Sequence, residues 1–477
     1  MKNLNLFFII LIFSLNYSTE KDTLRWAFEI FRHGARTPYS GMDETFHDCF
    51  GHQWIGLKEL TGVGLRQHFL VGYRNKLKYT KDYKLINPTY DPREVLLIST
   101  DTNRTVMSAN AQVQGLFPPG EGPSLNKDQA EKAIPPVEEN IYEPEKSQLD
   151  NDSYATLPNH MTVIPIHSFF NEEHFIQLQD KKVCPNSYNY YLKNQQREEV
   201  VNFLQKMSDK YGENLLKVMV NEKDKDMLKN YTKAYYIFDT IISEYTEGVD
   251  KFEEVCKELK VSKDELLHDS FKFFELDLIG NGIDNDKELC LHSMSPIFNR
   301  LLEWMEAKIN KDKDGEDDYT DYDLPKFVMF SAHDSTCGAF MGFMKAVFNT
   351  EIKYPYFATN INLELMRKND EKGSQNYDIE YIINDELIKR MSFDEFYKGV
   401  KSAMKKKEEI DKFCGFVEEI KESESSNVYL ITNIILSIIS IVLIVLIVIT
   451  IRKKKAGGKS NNIEDMNLID PLNSEDN

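Results

Sequence analysis

The segment Phe31–Pro38, FRHGARTP, sets His33 between Arg32 and Arg36, with Gly34 loosening the chain and a proline closing it. Two guanidiniums that keep their charge at any physiological pH flank one imidazole. They disfavour the imidazolium form, which leaves the ring neutral and nucleophilic. Taken alone, the segment is either a basic surface turn or an anion cradle with a nucleophile inside it. Two further segments bear on the choice. STDTNRTVMSA, Ser99–Ala109, contributes Arg104, and FSAHDST, Phe330–Thr336, contributes His333 and Asp334. Arginine forks grip the non-bridging oxygens of a phosphate ester. Charge spreads over three equatorial oxygens as a phosphoryl group is transferred, so several fixed cations around phosphorus are the equipment that reaction needs. Arg32, Arg36 and Arg104 could supply them. Asp334 adds a carboxyl to protonate a departing oxygen, and His333 adds a second imidazole.

These segments share a setting. Leu24–Phe31, Glu94–Ser99 and Lys326–Ser331 are short apolar runs that read as buried strands. Each runs directly into one of the chemically capable stretches. Open α/β sheets bind ligands at the carboxyl ends of their strands, so one site assembled from distant segments would look like this. Gly56–Tyr73 and Thr105–Leu116 read as helices between the strands. From about Arg197 to Ile309 the apolar residues recur at threes and fours, which predicts a helical insertion or cap. The stripe Met294, Ile297, Leu301, Trp304, Met305 is core. The expected fold is α/β: a central, mostly parallel sheet flanked by helices, with a helical cap over roughly residues 165–325 and one carboxyl-terminal transmembrane helix.

Of the 477 residues, 41% are hydrophobic and 12% aromatic, ample for a packed core, and the net charge of −19 argues against nucleic acid as a partner. Residues 1–18 carry one lysine, then an apolar run, then small and polar residues, and read as a signal peptide. Val428–Ile451 is apolar, uncharged and long enough to cross a bilayer. Arg452, Lys453, Lys454 and Lys455 follow it, and the positive-inside rule puts them in the cytosol. The expected arrangement is a type I single-pass protein: residues 19–421 lumenal or extracellular, a polar stalk at 422–427, the span at 428–451 and a tail at 452–477. The six cysteines, Cys49, Cys184, Cys256, Cys290, Cys337 and Cys414, form no CxxC pair, so a zinc site is not expected and disulfides are. Asn151 and Asn230 head glycosylation sequons. Asn103 heads a third.

The combination RHGARTP, STDTNRT and FSAHDST, in that order and each after an apolar run, resembles the histidine acid phosphatases, the acid phosphatase and phytase branch of the histidine phosphatase superfamily. Leu60–Gly72 (LTGVGLRQHFLVG), Gly115–Pro119 (GLFPP) and Ile164–Ser168 (IPIHS) extend the resemblance, which runs from about Leu24 to Cys414 and is weakest through the helical insertion. It implies that His33 is a nucleophile forming a phosphohistidine and that Arg32, Arg36, Arg104 and His333 bind the phosphoryl group. Asp334 would be the proton donor, with no metal or organic cofactor. It also implies a disulfide between Cys184 and Cys414, a free core thiol at Cys337, and an Asn103 too enclosed to be glycosylated. Ala35 stands where close animal members usually carry an acidic residue, which leaves the leaving group open. Phe330 stands where tyrosine is usual.

The implied function is a membrane-anchored acid phosphatase acting on phosphate monoesters, in lysosomes or endosomes or at the cell surface. A phytase or other inositol polyphosphate phosphatase is the second reading and calls for basic cap side chains facing the pocket. A non-catalytic, receptor-like ectodomain is the third. The partners that enter are the ester substrates, a second copy in a homodimer, and a sorting adaptor reading Glu464, Leu468 and Ile469. Asn310–Asp321, NKDKDGEDDYTD, mimics a calcium-binding loop, but Asn at its first position and Asp at its last favour a solvated acidic loop.

Overall fold

The computed structural model describes residues 22–39, 56–137, 139–168, 184–218, 223–249, 252–280, 287–316, 319, 321–368, 376–415 and 424–456. The chain divides into two compact units, Met1–Phe416 and Val417–Asn477. The proposed signal peptide, Cys49 and the tail residues Glu464, Leu468 and Ile469 lie outside the described residues.

The first unit is built on one seven-stranded sheet in the order β3-β2-β4-β1-β5-β6-β7. Its strands are β1 (Thr23–Arg32), β2 (Val95–Ser99), β3 (His167–Ser168), β4 (Phe327–Ala332), β5 (Asn360–Arg367), β6 (Tyr377–Ile383) and β7 (Glu386–Ser392). β3, β2, β4 and β1 run parallel, and β5, β6 and β7 extend the sheet antiparallel past β1. β1 is central and covered on both faces, which is why it reads as a nearly continuous apolar run. Its alternation still divides the core. Trp26, Phe28 and Ile30 face one layer, formed by α10 (Lys287–Lys313), α11 (Asp334–Phe348) and α12 (Phe393–Ala403). Ala27 and Phe31 face the other, with Val113 and Leu116, and an irregularity between Leu24 and Trp26 turns Leu24 to that side as well.

That second layer is α1 (Gly62–Lys76) and α2 (Asn103–Leu116). Glycines let the two helices and the Arg32–Pro38 loop meet backbone to backbone. A Cβ on Gly64 would stand 2.2 Å from the Ala35 carbonyl oxygen, and one on Gly72 only 1.8 Å from that of Gln112. α3 (Lys127–Lys132) and α4 (Glu139–Asn151) form a peripheral pair before β3.

The cap is helical: α5 (Ser187–Gln195), α6 (Glu198–Val218), α7 (Tyr231–Glu247), α8 (Phe252–Leu259) and α9 (Lys263–Gly280) lead into α10. It has its own core, with Leu204, Met207, Ile237, Phe238 and Phe273 among its buried residues. Cys184 and Cys414 form a disulfide that ties the start of the cap to α13 (Lys407–Cys414). Cys256, Cys290 and Cys337 are buried and reduced.

The calcium-loop mimic dissolves into ordinary structure. Asn310–Lys313 are the last residues of α10, and Asp312 accepts both fork nitrogens of Arg25, at 2.8 and 2.6 Å, and the Tyr377 hydroxyl at 3.0 Å. In the second unit, α14 (Glu424–Ala456) takes in the last residues of the expected stalk, and its Ile434–Arg452 stretch, with a mean hydropathy of 3.5, is long and apolar enough to cross a membrane.

Glu244 on α7 is 1% exposed, and burial alone lifts its carboxyl to about 8. The folded state therefore holds a proton that an unfolded glutamate, near 4.5, releases. Stability from this group is full below the unfolded value and is lost as pH rises towards 8, at roughly 1.4 kcal/mol per pH unit. Glu244→Gln should flatten the fall of Tm between pH 5 and pH 8, measured by calorimetry. An unchanged slope would contradict this assignment.

Candidate active site

Arg32 is the last residue of β1, and His33 follows it. The strand end fixes both, because Arg32 N–H donates to the Thr359 carbonyl and His33 N–H to the Ala332 carbonyl of β4. Arg32, His33 and Arg36 are 3%, 2% and 3% exposed, so the basic-turn reading fails: these groups are inside. His33 Nδ1 lies 2.9 Å from the Gly34 carbonyl oxygen. A carbonyl only accepts, so Nδ1 carries the hydrogen and Nε2 keeps its lone pair. Burial, reinforced by Arg32, Arg104 and Arg36, holds this imidazole well below its usual pKa.

Each arginine is held differently. Arg32 Nη1 donates to the Tyr354 hydroxyl at 3.1 Å and the Pro355 carbonyl at 2.9 Å, and its Nη2 pairs with Asp334 at 2.8 Å. Arg36 is gripped by both oxygens of Asp239 on α7, at 2.7 and 3.1 Å, and that carboxylate also accepts from the Tyr39 N–H. Arg104, at the start of α2, donates to His333 Nδ1 at 3.2 Å. The Phe357 ring packs under Arg32 and Arg36, 4.4 and 5.8 Å from their guanidinium carbons. Buried Nε–H groups of all three arginines have no acceptor among the described residues.

His333 caps the amino end of α11, and Asp334 is that helix's first residue. The two histidine rings meet edge to face at 5.7 Å. Burial and Arg104 press the His333 pKa down to about 3, so the ring is neutral. Its Nδ1 accepts from Arg104, which leaves the hydrogen on Nε2, 3.0 Å from the Thr100 hydroxyl. Thr100 passes the chain to Thr105 at 3.0 Å. In this arrangement His333 orients Arg104. For Asp334, burial works to raise the carboxyl, but Arg32 and Arg36 outweigh it and keep it below the usual carboxylate range.

All six residues expected from the sequence thus come together, at the carboxyl ends of β1, β2 and β4. Asp239, Tyr354, Phe357 and Thr100 join them unexpectedly. Asp239 sits in the cap helix Tyr231–Glu247, whose apolar pattern carries no sign that one acid turns back to the sheet. Tyr354 and Phe357 fall in an irregular stretch. Ala35 is 1% exposed and its N–H donates to Gln67 Oε1 at 2.9 Å. Asn103 corrects an expectation: it is exposed, and its amide donates to Glu59 at 3.1 Å, because the first turn of α2 points Arg104 and Thr105 inward and Asn103 outward. Asn151 is exposed; Asn230 is exposed as well, and its side chain caps α7.

Comparison with known proteins bears on the family and the fold. The profile of the histidine phosphatase superfamily (branch 2) matches residues 23–384. Among curated relatives, a lysosomal acid phosphatase of Xenopus laevis is 25% identical over 341 residues, which is 69% of this chain and 64% of the relative. The prostatic acid phosphatase of Homo sapiens is 33% identical over 120 residues, 25% of this chain and 30% of the relative. The chain thus spans less than two thirds of either relative's length. Among solved structures, the phytase of Citrobacter braakii superposes with a TM-score of 0.53 at 11% identity, over 82% of this chain and 99% of the phytase. An apo phytase of Hafnia alvei gives 0.52 at 11% identity, over 83% and 98%. These superpositions establish a common fold. With the family profile covering the sheet from β1 to β6, and the loops that carry His33, Arg104 and Asp334, the chain belongs to the histidine phosphatase superfamily, branch 2.

Proposed function

We propose that the protein is an acid phosphatase that hydrolyses phosphate monoesters through a phosphohistidine on His33. The observation that carries this reading is the set of three guanidiniums, buried at Arg32 and Arg36 and half-buried at Arg104, around a neutral imidazole, each with a buried Nε–H that has no acceptor among the described residues. A tetrahedral oxyanion supplies acceptors for such donors.

The steps follow from the atoms. His33 Nε2, whose lone pair is free because Nδ1–H is engaged by Gly34, attacks phosphorus and forms the N–P bond as the ester P–O bond breaks. Arg32, Arg36 and Arg104 hold the phosphoryl oxygens, with His333 steadying Arg104. Asp334 gives its proton to the leaving oxygen. Water then attacks the phosphohistidine, Asp334 takes the proton back, and His33 and inorganic phosphate are released.

Asp334 is ionised in the free site, because Arg32 and Arg36 stabilise its charge. A bound phosphoryl dianion takes over those arginines and places negative oxygens beside the carboxylate. Both changes raise the Asp334 pKa, so the acid is loaded by substrate binding itself. An acidic surrounding favours that loading, and His33 stays neutral there because its own pKa is depressed.

The phytase reading calls for basic cap side chains at the pocket. Among the described cap residues, Tyr235, Asp239 and Glu247 lie against the site, and they are aromatic or acidic. That supports simple monoesters over highly phosphorylated inositols. The same reading carries the rest of the chain as proposals: a cleaved signal peptide at residues 1–18, a lumenal domain glycosylated at Asn151 and Asn230, a type I span at 428–451, and lysosomal or cell-surface residence. A homodimer and adaptor binding at Glu464, Leu468 and Ile469 belong to it too.

Purified protein should hydrolyse 4-nitrophenyl phosphate at pH 5, and faster than phytate. His33→Ala should lower kcat by at least about 1,000-fold while the fold is retained. Activity persisting in that variant would sink the proposal. Vanadate binding near pH 6 should take up about one proton, measured by calorimetry in buffers of different ionisation enthalpy, and Asp334→Asn should abolish the uptake. Equal uptake in both proteins would contradict loading of Asp334 by the ligand.

A further inference from the structure

A line of buried polar groups runs behind the His33 loop and takes no part in the steps above. Glu29, His68, Asn75 and Gln112 are each 0% exposed. Glu29 lies on the α1/α2 face of β1, opposite Asn362 of β5. Its Oε2 is 2.7 Å from Asn75 Nδ2 and 2.8 Å from one end of the Gln112 amide. The other end of that amide is 2.8 Å from His68 Nδ1. His68 Nε2 is 3.1 Å from the carbonyl oxygen of Arg32, the group that opens the peptide bond to His33.

Counting hydrogens shows what this line requires. The Arg32 carbonyl only accepts, so that contact is a hydrogen bond only when His68 Nε2 carries the hydrogen. A neutral imidazole then has a bare Nδ1 and needs a donor. Gln112 must turn its NH₂ towards His68 and its oxygen towards Glu29; a half-turn of the amide makes that exchange at unchanged positions. Two oxygens now face each other at the Glu29 end, and a hydrogen must lie between them. Glu29 is therefore the protonated acid. Every contact in the line is then made, from Glu29 to Gln112 to His68 to Arg32.

Removing the proton reverses the line. An ionised Glu29 draws the Gln112 NH₂ to itself, the amide oxygen takes the Nδ1 hydrogen of His68, and a bare Nε2 is left against the Arg32 carbonyl. Keeping that last bond would then need an imidazolium, and burial holds His68 down at about 4.

We propose that Glu29, Gln112 and His68 form a positioning relay whose single proton secures the Arg32 carbonyl, and with it the strand end that carries His33, and that loss of this proton releases it. The groups facing Glu29 set where the switch falls. Burial raises its carboxyl, Arg74, Asn75 and Lys78 lower it, and Glu364 on β5 raises it, leaving it at about 7. Lys78 is itself paired with Glu364, which also accepts from the Tyr79 hydroxyl at 2.7 Å. His68 faces the Phe31 ring at 5.1 Å and the Gln112 amide. The strand end is therefore held through the acid range and freed above neutrality, independently of Asp334.

The test is amide exchange followed by mass spectrometry on the full chain in detergent micelles, between pH 5.5 and 8.5, for the segment Phe31–Thr37. After correction for the intrinsic pH dependence, wild-type exchange should rise about tenfold, with its midpoint near 7. Glu29→Gln should stay protected throughout, because its amide donates one N–H to Gln112 as the protonated acid does and the other to Asn75, whose own amide turns its oxygen to accept it. Its kcat/KM should also fall less than that of wild type between pH 6.5 and 8. A merely structural role would lower stability without removing a midpoint. A flat corrected rate in wild type overturns the proposal whether or not the variant folds, and so does a variant that follows wild type. The exchange measurement needs no turnover, so it stands apart from the phosphatase reading on which the kcat/KM comparison rests.

Discussion

Three guanidinium groups inside one protein pocket repel one another, and the first unit is arranged around making that tolerable. Two aspartates do it. Asp334 pairs with Arg32, and Asp239 pairs with Arg36. They differ in what they permit. Asp239 is 4% exposed and engaged on both oxygens, so Arg36 is a fixed cation. The Asp334 side chain is about a third exposed, meets Arg32 through one oxygen and accepts from the Ser335 N–H with the other, so only one guanidinium contact has to yield to an incoming anion. Among the described residues Arg104 pairs with no carboxylate and leans instead on a neutral imidazole. The pocket therefore keeps positive charge to offer, which is the condition for gripping a phosphoryl group.

The Asp239 clamp also explains why the cap belongs to the site. α7 reaches back to the His33 loop through Asp239 and again through Glu247, which accepts from Thr61 at the amino end of α1. The helical insertion thus fixes the charge and position of a binding arginine. The disulfide between Cys184 and Cys414 holds the start of the same insertion to the end of the domain. On the opposite face of β1, buried Glu29, His68 and Gln112 reach the Arg32 carbonyl from behind. The nucleophile loop is braced on both sides by groups with no contact to a substrate.

How much of this was legible in the sequence depends on distance along the chain. The strand-plus-motif units were legible because local chemistry makes them: an apolar run must be buried, and RHGARTP, STDTNRT and AHDST each begin where such a run stops. Their meeting at one sheet edge follows from parallel pairing of β2, β4 and β1. Asp239 was hidden, because a single acid in an amphipathic helix looks like a solvated residue until its partner is known. Glu29 was hidden inside an apolar strand for the same reason. The antiparallel strands β5 to β7 left little mark, since their exposed and buried residues do not alternate cleanly. Asn103 shows the converse error, where neighbouring an inward arginine was mistaken for being inward.

The account rests on His33 forming a covalent bond to phosphorus. Rapid-quench trapping with a ³²P-labelled monoester at pH 5, followed by alkaline digestion and peptide mapping, tests this directly. The label should be stable to alkali and labile to acid, as a phosphoramidate is, and should reside on the peptide containing His33. Label on another residue, or full turnover with no protein-bound phosphate, would contradict it.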